Sequence, residues 1–339
     1  MKSKKLLYLL CILAFYACKD ISSKVERLTL QPSSIIQDSL FTQIPGSLLL
    51  CNRYLVWEDS FNPKYFLRIV DINAKKEIGI MGVIGRGPKE FITPQSIKST
   101  GNKVFTFDLN QDKQAYYSID SLLMGKDPFI SHPLHSINNC LNIVQITKNE
   151  FISLQPENEY PFQWIHADSS VSFFGKNLIK EKLNDYFTCR QGYLKYNPDK
   201  KALIYCANHF PYIALYEKKD STFLLKWEKT SPKRSYEVEN GKIHFLDNQE
   251  IPNGMAITKD YIIVLQQDED AKLPPIKRTG GIRDFSKVPN TIFVYDYEAN
   301  LKKIIKMDMP ILRIEGDNNS NTLYAIGIDL DFCILTYEI

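Results

Sequence analysis

From about residue 25 to the C-terminus, short apolar or alternating runs are separated by polar turns, and long amphipathic helices are nearly absent. Period-two runs bounded by Asn, Asp, Gly and Pro are the pattern of strands with one or both faces buried. The best helical spacing is in Asn177–Phe187, where Leu178, Ile179 and Leu183 fall near one face, so one short helix is expected there.

A finer pattern repeats within these runs. Four segments end a strand near an acid and resume as a second strand after a few polar residues: FLRIVDINAKKEIGIMG, KVFTFDLNQDKQAYYSID, YIALYEKKDSTFLLKWEK and TIFVYDYEANLKKIIKMD, with WIHADSSVSFFGK as a fainter fifth. Their acids are Asp71, Asp108, Asp168, Glu217 and Asp296, at steps of 37, 60, 49 and 79 residues. A strand, turn, strand unit recurring about every 40 to 50 residues, with insertions, is how a four-stranded propeller blade reads in sequence. Roughly 310 residues beyond the leader then give about six blades. The Asp/Asn-rich connections suit hairpins, because their side-chain oxygens cap nearby backbone amides.

The last blade runs short. Ile311–Ile339 offers three strands, ILRIEG, NTLYAIGI and FCILTYEI, so a fourth must come from elsewhere. The alternating run Lys24–Gln31 is expected to supply it and close the ring, which removes the open sheet edges that β proteins must otherwise protect. The fold expected is all-β: one six-bladed β-propeller of four-stranded antiparallel blades over residues 24–339. A tandem of β-sandwiches is the alternative. Two stretches break the rhythm, Thr230–Lys242 and Gln266–Asn290, and a loop as long as the second is usually functional.

Composition agrees with strands, since 19 Tyr and 19 Phe stand against 15 Gly. The first residues do not belong to the fold. Lys2, Lys4 and Lys5 precede an uninterrupted apolar run, Leu6–Ala17, that is too short to span a bilayer core and reads as a secretion signal. Ala17 before Cys18 resembles a bacterial lipoprotein signal, so residues 1–17 are expected to be removed, Cys18 lipid-modified, and residues 18–23 to act as a tether to a membrane. Removing residues 1–17 takes three lysines from the 42 basic residues and none of the 39 acids, leaving a formally neutral chain. Without a basic stripe, nucleic acid is not an expected partner.

Beyond Cys18 the cysteines are Cys51, Cys140, Cys189, Cys206 and Cys333, scattered and without a Cys-x-x-Cys pair. Cys189 and Cys206 are the closest pair for a disulfide, but Cys51, Cys206 and Cys333 sit in apolar runs that favour small buried thiols.

The glycine-rich stretch Met81–Phe91 (MGVIGRGPKEF) offers Gly82 and Gly87 at a phosphate-loop spacing. Pro88 separates Gly87 from Lys89, no Ser or Thr follows, and Pro94 prevents a helix whose N-terminus would face a phosphate. It reads instead as a turn between repeat units: Gly85 and Gly87 supply backbone freedom, Pro88 fixes φ, and Phe91 returns to the core. Arg86 and Glu90 are placed to pair with each other or with Asp108.

The motif Gly85-Arg86-Gly87-Pro88-Lys89-Glu90-Phe91, followed by Pro94 and a strand ending in Phe107-Asp108, resembles the recurring motif of TolB-like six-bladed β-propeller lipoproteins of Gram-negative bacteria. It is also similar to the Gly-x-Gly-Pro-x-x-Phe turn of NHL-repeat propellers. The resemblance implies a fold and a location at the cell envelope, and it carries no catalytic residues.

No metal or catalytic signature emerges. His132 and His135 are the nearest histidine pair but lack a third ligand close by, and Asp268–Lys272 does not match a calcium loop. No Gly-x-Ser-x-Gly elbow is present. No cofactor is expected; a divalent ion such as calcium in the central channel of a propeller hydrolase or lyase is the alternative. Strand order does place four connections on one face: residues 85–90, Glu58–Lys64, Gln155–Pro161 and Gln266–Asn290. Arg86, Lys89, Glu90, Phe61, Tyr160, Arg278, Arg283 and Phe285 are therefore the expected rim around the channel mouth, suited to a glycan, peptide or protein ligand.

Overall fold

The computed structural model describes residues 25–132, 137, 139–231, 235–246, 251–268, 285 and 288–339. Two strands, β1 (Glu26–Leu30) and β2 (Ser34–Leu40), precede the first blade. That blade is β3 (Leu48–Cys51), β4 (Tyr54–Glu58), β5 (Tyr65–Asp71) and β6 (Lys76–Ile84), with the short β7 (Glu90–Phe91) beside β6. The second is β8 (Gln95–Lys98), β9 (Lys103–Asp108), β10 (Lys113–Ser118) and, after helix α1 (Ile119–Leu123), β11 (Phe129–Ser131). The third is β12 (Asn142–Thr147), β13 (Glu150–Leu154), β14 (Phe162–Ile165) and β15 (Val171–Phe174). A four-residue helix, α2 (Phe187–Arg190), leads into the fourth: β16 (Gly192–Asn197), β17 (Ala202–Ala207), β18 (Tyr212–Lys219) and β19 (Thr222–Thr230). A hairpin, β20 (Tyr236–Glu239) with β21 (Lys242–Phe245), separates it from the fifth: β22 (Pro252–Ile257), β23 (Tyr261–Gln266), β24 (Thr291–Asp296) and β25 (Leu301–Met307). The sixth is β26 (Ile311–Gly316), β27 (Thr322–Ile328) and β28 (Phe332–Glu338), completed by β2.

The first strands β3, β8, β12, β16, β22 and β26 touch in a closed circle, so the blades form a six-bladed propeller around an axis. Apolar residues on both faces of each blade are buried, and the six hydrophobic clusters sit one at each junction between neighbouring blades. This is why second strands such as LIYCA and YLVWE read as continuous apolar runs: both faces of each blade pack.

An N-terminal strand closes the ring, and it is β2, antiparallel to β28 with Ser34 opposite Thr336. The run Lys24–Gln31 lies one strand earlier. Its strand, β1, pairs parallel to β25 as a fifth strand of the fifth blade, and its alternation turns Leu28 and Leu30 toward the cluster between the fifth and sixth blades. The helix expected across Asn177–Phe187 is absent; only α2 follows it. Ile179 and Leu183 bury their side chains from an irregular connection, so helical spacing there reflects packing without a helix. The five cysteines among the described residues, Cys51, Cys140, Cys189, Cys206 and Cys333, are free and buried, which removes the Cys189–Cys206 disulfide.

The repeated acids do not all mark the same turn. Asp71, Asp168, Glu217 and Asp296 lie at the third-to-fourth strand turns of their blades, whereas Asp108 ends a second strand on the opposite face. In the second blade, α1 replaces the equivalent tight turn. The capping is as expected: Asp71 accepts hydrogen bonds from the backbone amides of Asn73 and Ala74, and Asp296 from those of Glu298 and Asn300.

Candidate functional site

The central channel is a cavity of about 720 Å³ lined by side chains from all six blades. Each first strand turns alternate residues inward, and four of these channel-lining residues are charged, Lys98, Lys195, Arg313 and Glu315; Glu58, at the end of the second strand β4, is the fifth charged residue of the lining. Lys195 and Glu315 pair at 2.5 Å, joining the fourth blade to the sixth. That leaves Lys98, Arg313 and Glu58 as the remaining charged groups of the lining.

Gly46 joins the last two. Its amide donates to the Glu58 carbonyl at 2.7 Å, and its own carbonyl accepts from Arg313 Nε at 2.9 Å. Arg313 Nη1 donates to the Leu312 carbonyl at 2.8 Å. The guanidinium is thus held by two backbone oxygens and has no ion-pair partner among the described residues. A Cβ on Gly46 would come within 2.8 Å of Glu58 Cβ, so only glycine lets this chain segment approach the carboxyl side chain.

Glu58 is 8% exposed. Its Oε2 accepts from the Ser47 amide at 3.1 Å, while Oε1 is buried and makes no hydrogen bond among the described residues. Burial pushes its pKa above the ordinary carboxylate value, with Ser47 and Ser96 offsetting part of the rise. Burial acts on Arg313 in the opposite sense, lowering its pKa against the pull of Tyr193 and Glu58. Three further lining residues each carry a buried, unpaired side-chain oxygen: Ser99, Gln145 and Asn318. Among the described residues, no three His, Cys, Asp or Glu side chains are grouped to hold a metal ion.

Three of the four connections expected to share a face do so, since 59–64 and 155–161 join second to third strands and 85–94 joins blade to blade, while most of Gln266–Asn290 lies outside the described residues. None of the described rim residues lines the channel. Phe61 is 51% exposed beside Phe41 and Asp331 in a shallow pocket of about 450 Å³, and Tyr160 is exposed on its own loop. Phe285 packs edge-on against Phe332 and is half-buried. Arg278, Arg283 and His135 lie outside the described residues.

The turn at Gly85–Phe91 sits between the first and second blades. Glu90 Oε2 accepts from the Gly87 amide at 2.8 Å, and a Cβ at Gly85 or Gly87 would run into that carboxylate, so both glycines make room for it. Lys89 pairs with Asp127 and lies over the Phe129 ring. Asp108 holds Ile92 and Thr93 rather than Arg86 or Glu90, Arg86 is exposed, and Phe91 is fully buried. Arg313, Glu58 and Lys195 were not singled out from sequence. The available signal was a charged or amide residue inside the first strand of several blades, as in QSIK, NIVQIT, GYLKYN and ILRIEG.

A six-bladed propeller whose channel is lined by three basic and two acidic side chains defines the class. A family model for TolB-like 6-blade propeller-like proteins matches residues 26–319, and the chain belongs to that family. A comparison with curated proteins finds no match. Among solved structures, a member of the DUF4221 family from Bacteroides vulgatus is similar at 12% identity and a TM-score of 0.59, covering 91% of this chain and 95% of that one. A putative exported protein from Bacteroides fragilis matches at 12% identity and a TM-score of 0.54, covering 92% and 99%. The calcium-binding protein regucalcin from Agrobacterium tumefaciens matches at 8% identity and a TM-score of 0.52, covering 93% and 97%. At these identities the likeness is one of fold.

Proposed function

We propose that this chain is an exported, lipid-anchored binding module of the bacterial cell envelope that captures a ligand in the mouth of its channel. The observation that carries the reading is the channel itself, where Arg313 is fixed by backbone carbonyls and the buried Glu58 keeps a free oxygen. A polar cavity of this size, with a few convergent groups, is how a propeller holds a small ligand. Family membership and the exported relative of the same fold support the envelope location, and Leu6–Ala17 followed by Cys18 supports the lipid anchor. A hydrolase or lyase built around a divalent ion would need ligands that the described channel residues do not bring together.

Two measurements test the reading. Cys18→Ser should move the protein from the membrane to the soluble fraction, and continued membrane association would refute the anchor. A thermal-shift panel of neutral, cationic and anionic monosaccharides and dipeptides should contain at least one stabilising compound. A panel without one would refute capture in the channel.

A further inference from the structure

Resting on the reading of the channel as a binding site, we propose that its Arg313–Glu58 end takes a small hydroxylated anion, with the anion's carboxylate on Arg313 and a hydroxyl on Glu58. Arg313 enters with two of its three nitrogens already committed, Nε to Gly46 and Nη1 to Leu312. Those bonds fix the plane of the guanidinium and leave Nη2 without a partner among the described residues. A pre-oriented guanidinium loses little entropy when it receives an oxyanion.

Glu58 is the acid beside it in the lining, and the two make no ion pair: Arg313 donates to the Gly46 and Leu312 carbonyls instead. An incoming anion therefore meets a guanidinium without a carboxylate partner among the described residues. Glu315, the other channel acid, is taken by Lys195. A cationic ligand would face Arg313, Lys195 and Lys98.

The hydroxyl part of the ligand follows from the unpaired oxygens. Glu58 Oε1 is buried on a channel-lining side chain and has no hydrogen-bond partner among the described residues; Ser99 and Asn318, which also line the channel, each carry another such oxygen. Leaving buried acceptors unpaired is costly, so a ligand hydroxyl gains a hydrogen bond wherever one of these side chains turns its oxygen into the cavity. Ser96 Oγ is already paired with Thr106 at 3.0 Å and is not one of them. The cavity of about 720 Å³ has room for one or two sugar-sized rings.

The probe is D-glucuronate, compared with D-glucose, D-glucosamine and acetate by isothermal titration. Glucuronate should bind most tightly, glucose and acetate should each bind at least about tenfold more weakly through loss of the ion pair or of the hydroxyl contacts, and glucosamine should not bind. Arg313→Gln should weaken glucuronate by about ten- to a hundredfold, with partial recovery in Arg313→Lys. Glu58→Met, of similar volume, supplies an independent variant should Arg313→Gln fail to fold, and should weaken glucuronate about tenfold. Arg86→Ala, on the outer turn between blades, should leave binding unchanged. If glucosamine or glucose binds best, or if glucuronate binds both folded variants as it binds wild type, the anion site is wrong while capture in the channel stands. If no compound binds here but the wider panel yields a ligand, again only the anion site fails.

Discussion

At Arg190 a guanidinium lies wholly inside the protein without a carboxylate partner among the described residues. It donates to the carbonyls of Gln155, Asn158 and Glu159 and to Asn177 Oδ1, and it stacks over Tyr186 at 4.2 Å. Burial lowers its pKa, so the charge is kept by the ring of acceptors that it satisfies. Three of those acceptors belong to the connection that carries Tyr160, whose shape Arg190 therefore fixes from beneath. Arg190→Met should destabilise the fold by about 3–5 kcal/mol in urea denaturation, because several buried carbonyls lose their donor at once. Arg190→Lys should recover little, since one ammonium does not span the four acceptors. Glu58 makes the matching argument for a carboxyl group. Its folded pKa lies above the ordinary 4.5, so its favourable contribution is complete below that value and is lost as pH rises through the folded pKa. Glu58→Gln should accordingly be more stable than wild type at pH 7, and the two melting curves should converge as pH falls below about 4.5. Coincident curves at pH 7 would show that the carboxyl is not held in a desolvated site. Neither residue announced itself in the sequence: Arg190 follows an irregular loop, and Glu58 is one acid in a polar run, so their roles appear only when distant segments meet.

Elements were more legible than residues, because an element repeats and a buried contact does not. Turn chemistry at Asp71 and Asp296 could be read directly, since an Asp two residues before the amide it caps is a local signal. Asp108 misled for the same reason. It caps Asn110 and Gln111 as the others cap their turns, yet it does so on the opposite face and also holds Ile92 and Thr93. Those hydrogen bonds outweigh the effect of burial and lower its pKa. Closure was legible as a missing strand, whereas the choice between β1 and β2 was not: both alternate, and only pairing distinguishes a strand that completes a blade from one that adds to a neighbour's edge. The two strands should differ sharply on removal. A chain shortened through Leu30 keeps β2 on β28 and should still unfold cooperatively, with loss confined to the β1–β25 ladder, the Arg27–Asp268 pair and the contacts of Leu28 and Leu30. A chain shortened through Leu40 opens the sixth blade and uncovers β28, and should be insoluble or lose its cooperative thermal transition. Circular dichroism of the two truncations checks this, and equal behaviour would assign closure to β1.

Across the whole ring, every junction carries a polar tie besides its apolar cluster. Lys113 reaches Gly87 and Glu90 between the first two blades, Gln145 reaches Tyr116 at the next, and Asn142 reaches Gly192 beyond it. Asn197 bonds to Tyr297, Asn321 to Asp260, and Arg313 to Gly46 around the rest. One contact does not follow this neighbour-to-neighbour scheme. Lys195 and Glu315 belong to the fourth and sixth blades, so their ion pair passes in front of the fifth and narrows the channel. Glu315 is 4% exposed, and losing its partner would leave a desolvated carboxylate without its ion pair. Lys195→Met should therefore cost about 2–3 kcal/mol, and the double variant with Glu315→Leu should regain most of it by removing the stranded charge. Because Arg313 is anchored by backbone carbonyls of its own, the double variant should admit glucuronate faster while changing its affinity little. Stopped-flow association with wild-type and double-variant protein measures this directly: an unchanged association rate would mean that the pair staples the ring without gating it, and a large loss of affinity would mean that Lys195 belongs to the ligand site.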